Sequence, residues 1–116
     1  MFVNSINGAD GLVIDAQDNI WVCANQADEI VVVNSAGRVI AKLGDFGGLD
    51  PKGSPIGLLF PASLALSGEF LYVTNLALDL RLFGIAQAVD SQWTAHVTRS
   101  TVARIPARIA PVPGLR

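Results

Sequence analysis

The sequence predicts an all-β fold of short antiparallel strands, and three observations predict it. Apolar runs of about 3 to 6 residues recur every 8 to 10 or so residues, which suits strands and is too brief for helices. β-branched and aromatic residues are concentrated in those runs, as in Ile20-Trp21-Val22 and Ile30-Val31-Val32-Val33. Turn formers cut the runs: Gln17-Asp18-Asn19, Asn25 to Asp28, and Asn34 to Gly37.

Taken in order, Leu12-Val13-Ile14, Ile20 to Ala24, Ile30 to Val33 and Val39-Ile40-Ala41 make four strands of one antiparallel meander. Their runs are apolar on both faces, so the sheet is expected to be covered on both sides, as the blades of a propeller are. A second copy follows at Phe60-Pro61-Ala62-Ser63-Leu64-Ala65-Leu66, a turn at Ser67-Gly68-Glu69, and Phe70 to Asn75. Tyr72-Val73 lies 51 positions after Trp21-Val22. Allowing for an insertion over residues 44–61, this is near the roughly 40 to 50 residues of one propeller blade.

Leu76, Leu78, Leu80 and Leu82 alternate with Ala77, Asp79 and Arg81, a period of 2 that predicts a third strand over 76–83. Residues 84–92 read as a long loop and 93–105 as an outer, more polar strand. The expected organisation is therefore a first blade at 9–43, a connecting loop at 44–60, a second blade at 61–105 and a Pro-rich tail at 106–116. Two blades form an incomplete ring. Because repeat units need about three or more neighbours to bury a continuous core, the chain is expected to be the C-terminal part of a longer propeller or a protomer that assembles with copies of itself.

Composition narrows the function classes. With 116 residues, 51% hydrophobic and 16% charged, the chain can build a packed core and is not a disordered tail. A net charge of -2 offers no clustered Lys and Arg for phosphate backbones or anionic lipid, so nucleic acid and membrane are not expected partners. No apolar run reaches the 18 to 20 or so residues of a membrane span, and the first residues lack the basic and apolar regions of a signal peptide. A soluble protein is expected, in the cytoplasm or the periplasm. The one cysteine, Cys23, forms no intramolecular disulfide and sits in an apolar strand as a core thiol.

The stretch Ala9-Asp10-Gly11-Leu12-Val13-Ile14-Asp15-Ala16-Gln17-Asp18-Asn19-Ile20-Trp21-Val22-Cys23-Ala24 resembles the P-D-G-(apolar)-x-(apolar)-D-x-x-G-x-(apolar)-W-V-A pattern of the regucalcin, gluconolactonase and luciferin-regenerating-enzyme family of six-bladed β-propellers. Residues 29–43 follow that family's strand, turn at Gly37, and strand. Tyr72-Val73-Thr74 is similar to a segment of its next blade, so the resemblance spans roughly residues 5–83. Ala9 stands where the family has Pro, and Asn19 is read as taking the place of the turn Gly.

The resemblance implies a divalent cation in a central channel, calcium foremost with zinc or manganese as alternatives, and hydrolysis of a sugar lactone or related cyclic ester. It maps one metal ligand onto this chain, Asp10, which would also take a proton from the attacking water. The second copy has Ala62 at that position, and the family's remaining ligands, a Glu and two Asn, have no matched positions here. Asp-Gly is also a common turn pair with no ligand role, and Asn7 is read as a turn former. Other candidates are His96, read as a surface histidine without a triad; Gly44 to Gly48, a connection that lacks the Lys and helix of a phosphate loop; and Trp21, Tyr72 and Trp93, with Trp21 and Tyr72 placed in the core. Arg99, Arg104, Arg108 and Arg116 read as a solvated basic end. The alternative function is a non-catalytic binding module, because Phe70-Leu71-Tyr72-Val73-Thr74-Asn75 fits propellers of the NHL and Y-V-T-N types equally well.

Overall fold

The computed structural model describes residues 1–4, 6–78 and 91–108, with side chains from Trp93 onward in the last stretch. Its architecture is all-β and antiparallel, built as two sheets with a small hairpin between them in sequence. β1 (Ala9–Ile14), β2 (Ile20–Ala24), β3 (Glu29–Val33) and β4 (Val39–Leu43) form the first sheet in the order β1-β2-β3-β4. β5 (Phe46–Leu49) and β6 (Pro55–Gly57) pair with each other. β7 (Pro61–Ser67), β8 (Phe70–Asn75) and β9 (Thr101–Pro106) form the second sheet. The described residues also hold one helical turn, α1 (Ser91–Thr94).

Three hairpin loops share one device. In Asp15 to Asn19, Asn34 to Arg38 and Asp50 to Ser54, the first residue's side-chain oxygen accepts the N–H groups two and four positions later, at 2.8 to 3.0 Å. The fourth residue donates its N–H back to the first carbonyl, and its φ is positive: 62° at Asp18, 82° at Gly37 and 81° at Gly53. This is a type I turn followed by a left-handed residue, the geometry that Asp or Asn starts and Gly finishes most easily. The residue in the place of a turn Gly is thus Asp18, and the assignment of that role to Asn19 is corrected by one position. Asn19 instead donates its side-chain amide to Asp15 Oδ2 at 3.1 Å.

The two sheets repeat each other. Leu12, Val13 and Ile14 face Val22, Trp21 and Ile20 across the first ladder, as Leu64, Ala65 and Leu66 face Val73, Tyr72 and Leu71 across the second. Both ladders are bulged at the same place, between Ala9 and Leu12 and between Pro61 and Ser63. Asp10-Gly11 is therefore a β-bulge inside a strand and not a turn.

The core lies between the sheets. Trp21, Cys23, Ile30 and Val32 on the front of the first sheet pack with Leu58, Leu71 and Val73, flanked by Val13, Leu64, Leu66 and Ile105. Each fully buried Leu, Ile or Val contributes about 1.5 to 3 kcal/mol of hydrophobic stabilisation. Gly11 permits the close approach of the sheets at β1 and β7, since a Cβ there would lie 2.7 Å from the Ala62 carbonyl oxygen and 2.9 Å from Ser63 Cα. The back of the first sheet buries Ala24, Val31 and Val33 under Val3, Ile6 and Ala27.

Three expectations are revised. The stretch expected as a connecting loop at 44–60 carries the β5–β6 hairpin and ends in the buried run Leu58-Leu59-Phe60, because those apolar side chains have a core to enter. The third strand expected over 76–83 does not start at Leu76: Leu76 and Ala77 donate their N–H groups to Phe60 and Leu59, and Ala77 turns left-handed at φ 50°, which ends the extended run. Leu80 and Leu82 lie outside the described residues. The third strand beside β8 is β9, so the outer strand expected over 93–105 is shortened to Thr101–Pro106, with Trp93 in the helical turn.

Candidate functional site

The polar end of the first sheet is assembled from the bulge on β1 and the turn between β2 and β3. Asn25 donates its backbone N–H to the Gly8 carbonyl at 3.0 Å, and Gln26 donates to the Asn7 carbonyl at 3.2 Å. These bonds lay the chain before β1 against the β2–β3 turn. The bulge then opens β1 with the Asp10 carboxylate exposed, and Asn25 Nδ2 reaches Asp10 Oδ2 at 3.5 Å, a long and weak contact. Gln26 Nε2 approaches Asn25 Oδ1 at 3.4 Å. Asn7, Asp10, Asn25 and Gln26 thus form a polar rim.

Across the sheet contact the matching position is Ala62, which offers only its backbone carbonyl. Ser63 and Thr74 next to it are exposed and bond to each other through their hydroxyls at 2.9 Å. A hard divalent cation takes about 6 to 8 oxygens, and the donors here amount to one carboxylate with neutral amides. Among the described residues no three His, Cys, Asp or Glu side chains gather within reach of one ion. The described residues do not by themselves fit such a cation.

Two carboxylates are held structurally. Asp15 accepts four donors: the N–H groups of Gln17 and Asn19, the Asn19 amide, and the Trp21 indole Nε1 at 2.9 Å. Partial burial raises its pKa, and those hydrogen bonds, Trp21's first, outweigh burial and leave the carboxyl below its ordinary value. Asp28, buried and left-handed at φ 53°, accepts the Phe60 N–H at 2.8 Å. Asn75 completes the link, accepting the Leu59 N–H at 3.1 Å while donating to the Gly57 carbonyl at 2.8 Å and to Thr101 Oγ1 at 2.9 Å. Asp28 and Asn75 clamp the Leu58 to Phe60 segment between the sheets. Sequence reasoning missed both, because a turn Asp and a strand-end Asn look the same whether they face water or a buried backbone.

The remaining candidates separate cleanly. Cys23 is fully buried; burial, with the nearby Asp10 charge adding to it, pushes its thiol up to about 12, so it is no nucleophile at neutral pH. His96 is exposed just after the helical turn. Trp21 is in the core at 2% exposure, whereas Tyr72, expected there too, is 38% exposed on the outer face of the second sheet. Its position faces away from the first sheet, which is why a mid-strand aromatic stays wet. Trp93 is also half-exposed and meets Phe46 edge-on, with centroids 5.7 Å apart. Arg104 stacks over the Phe70 ring at 4.5 Å and Arg108 lies 3.9 Å from Glu69, both at the surface.

No helix among the described residues is long and apolar enough to cross a membrane. Comparison with protein-family models, with curated proteins and with solved structures finds no match to this chain.

Proposed function

We propose that the two sheets are consecutive blades of a β-propeller, and that the polar rim around Asp10 is the part of this chain that faces the ligand. In a complete ring of the gluconolactonase and regucalcin kind, Asp10 is one oxygen ligand of a divalent cation whose other ligands come from blades outside this chain. The ring's activity is then hydrolysis of a sugar lactone or related cyclic ester. The observation that carries this reading is the exposed Asp10 carboxylate at the bulge, at the strand where the repeated sheets approach most closely through Gly11. Bulges commonly re-aim a side chain beside a working site. Within this chain, the Asn25 amide lies 3.5 Å from the carboxylate and the Cys23 behind it stays protonated.

A second reading, a non-catalytic propeller module that binds a protein or small ligand, is favoured by Ala62 at the matching position of the second sheet. Hydrolysis of glucono-lactone with calcium, zinc or manganese by a complete ring that contains this chain, compared with the same ring carrying Asp10→Ala, separates the two. Metal-dependent turnover lost in Asp10→Ala supports the hydrolase. Turnover unchanged by Asp10→Ala removes Asp10 from it, and no turnover with any of the cations favours the binding module.

A further inference from the structure

One asparagine of the polar rim is set up to react with its own backbone. Of the six asparagines, only Asn7 is followed by glycine. Asn4 precedes the bulkier Ser5, and the side chains of Asn19, Asn25, Asn34 and Asn75 are engaged in hydrogen bonds. Asn7 is exposed, and its side-chain amide bonds to nothing among the described residues. Gly8 precedes β1, and its N–H likewise donates to no group among the described residues. The carbonyls of the pair are held instead: Asn7 accepts the Gln26 N–H at 3.2 Å and Gly8 accepts the Asn25 N–H at 3.0 Å. The bond from Gln26 also stabilises the anion that the Gly8 nitrogen forms on losing its proton, because that charge is shared with the Asn7 carbonyl oxygen. Glycine at this position is required by the fold. Its φ is 67°, and a Cβ would collide with the Asn25 side-chain oxygen, so the residue that leaves its own nitrogen unshielded is one the rim cannot easily replace.

We propose that Asn7 is a site of spontaneous deamidation, with water as the only co-reactant. The Gly8 nitrogen attacks Cγ of Asn7, the bond from Cγ to Nδ2 breaks, and the amide leaves as ammonia with the proton that Gly8 gives up. The product is a five-membered succinimide. Water then adds to one of its two carbonyls, which opens the ring to aspartate or to isoaspartate. Either product replaces a neutral amide by a carboxylate in the rim that holds Asp10, and takes the formal net charge of the chain from -2 to -3 by that one group. The isoaspartate branch also routes the main chain through Cβ, which displaces the carbonyl that Gln26 holds. Asparagine is a thermally labile residue in general, and the exposed, unpartnered pair Asn7-Gly8 is where this chain concentrates that lability. The proposal is independent of the hydrolase reading, which the lactone assay tests separately.

Incubation of the 116-residue chain in mildly alkaline buffer at physiological temperature, followed by anion exchange and mass spectrometry, tests it. Wild type is expected to accumulate an acidic species heavier by about 1 Da, the difference between a carboxyl and an amide. Digestion and fragmentation are expected to place the gain on Asn7, and protein isoaspartyl methyltransferase to label the same peptide. Asn7→Gln is expected to lose that species, because its longer side chain must close a six-membered ring, which forms far more slowly. Position 7 is exposed; if Asn7→Gln loses its β-sheet circular dichroism, Asn7→Ser, which has no amide, takes its place. A synthetic peptide of residues 1–9 sets the clock. A folded chain with no gain at Asn7 over the time in which the peptide converts overturns the proposal. A gain that persists in the variant, or that maps only to other asparagines, overturns it as well.

Discussion

The two sheets share a register and a bulge, yet they differ in what their faces touch. On the first sheet Trp21, Ile30 and Val32 are buried and form the centre of the core. Their ladder equivalents on the second, Tyr72, Val102 and Arg104, are exposed. The lesson is that burial in a repeated fold belongs to a position's neighbour and not to the strand pattern. Sequence has followed suit: the aromatic at the wet position carries a hydroxyl, and the β-branched residue opposite it has become Arg.

That contrast can be broken hardest at its centre. Trp21→Ala is expected to destabilise by about 3 to 5 kcal/mol, and Leu71→Ala by about 2 to 5, because each leaves a cavity between the sheets. Tyr72→Ala in the monomeric chain is expected to change stability far less, within about 0.5 to 1 kcal/mol for an exposed site. Urea denaturation of the three variants checks the ranking, and a Tyr72 effect as large as that of Trp21 would show the outer face to be packed.

A smaller effect is expected at the clamp. Asn75→Ala leaves the Leu59 N–H and the Gly57 carbonyl without their partner and is expected to cost about 1 to 3 kcal/mol. Asp28→Ala, which strands the Phe60 N–H, falls in the same range of about 1 to 3 kcal/mol. Thermal melts of both variants measure it, with amide exchange at Leu59 and Phe60 as a local readout.

Asp15 distinguishes the turns of the two sheets, since β7 and β8 are joined by Gly68-Glu69 without a carboxylate cap. Its carboxyl is lowered in the folded chain, so its contribution is complete above the unfolded carboxylate pKa of about 4 and is lost as pH falls through the lower folded value. The gap in melting temperature between wild type and Asp15→Asn is therefore expected to be widest near neutral pH and to close in acid. A gap that widens on acidification would reverse the assignment.

The smallest expected effect is a gain. Asp18 holds φ 62° where Gly37 and Gly53 hold the same turn position, and Asp18→Gly relieves left-handed strain against a small rise in unfolded-chain entropy. The expected net change is stabilising by less than about 1 kcal/mol, measurable as a small rise in urea midpoint.

Much of the first sheet was legible because it is locally coded. Runs such as Ile30 to Val33 have no other use than a doubly covered strand, and each turn announces itself with Asp or Asn at its start. The second sheet was less legible because its third strand is not its next apolar segment in sequence. The alternating leucines from Leu76 onward satisfied the period of a strand, but the backbone N–H groups of Leu76 and Ala77 were already committed to Phe60 and Leu59. The β5–β6 hairpin was hidden for a related reason: Gly47, Gly48, Gly53 and Gly57 give it little side-chain pattern, and only pairing reveals it. Of the candidate site, Asp10 was legible as a motif residue, while the supporting Asn25 was not, since its role depends on a turn meeting a bulge fifteen residues earlier in the chain.

By itself, then, the order of residues determined that the chain is antiparallel β, that turns separate the strands of the first sheet near Asp18, Asn25 to Asp28 and Asn34 to Gly37, and that Cys23 is an unreactive core thiol. These depend on interactions within a few residues or on one strand's apolar character. Only tertiary structure decided that β9 completes the second sheet, that Asp28 and Asn75 bind buried backbone, and that Trp21 is dry where Tyr72 is wet. Each of those outcomes depends on which surfaces meet, and contacts between residues far apart in sequence leave no periodic trace in it.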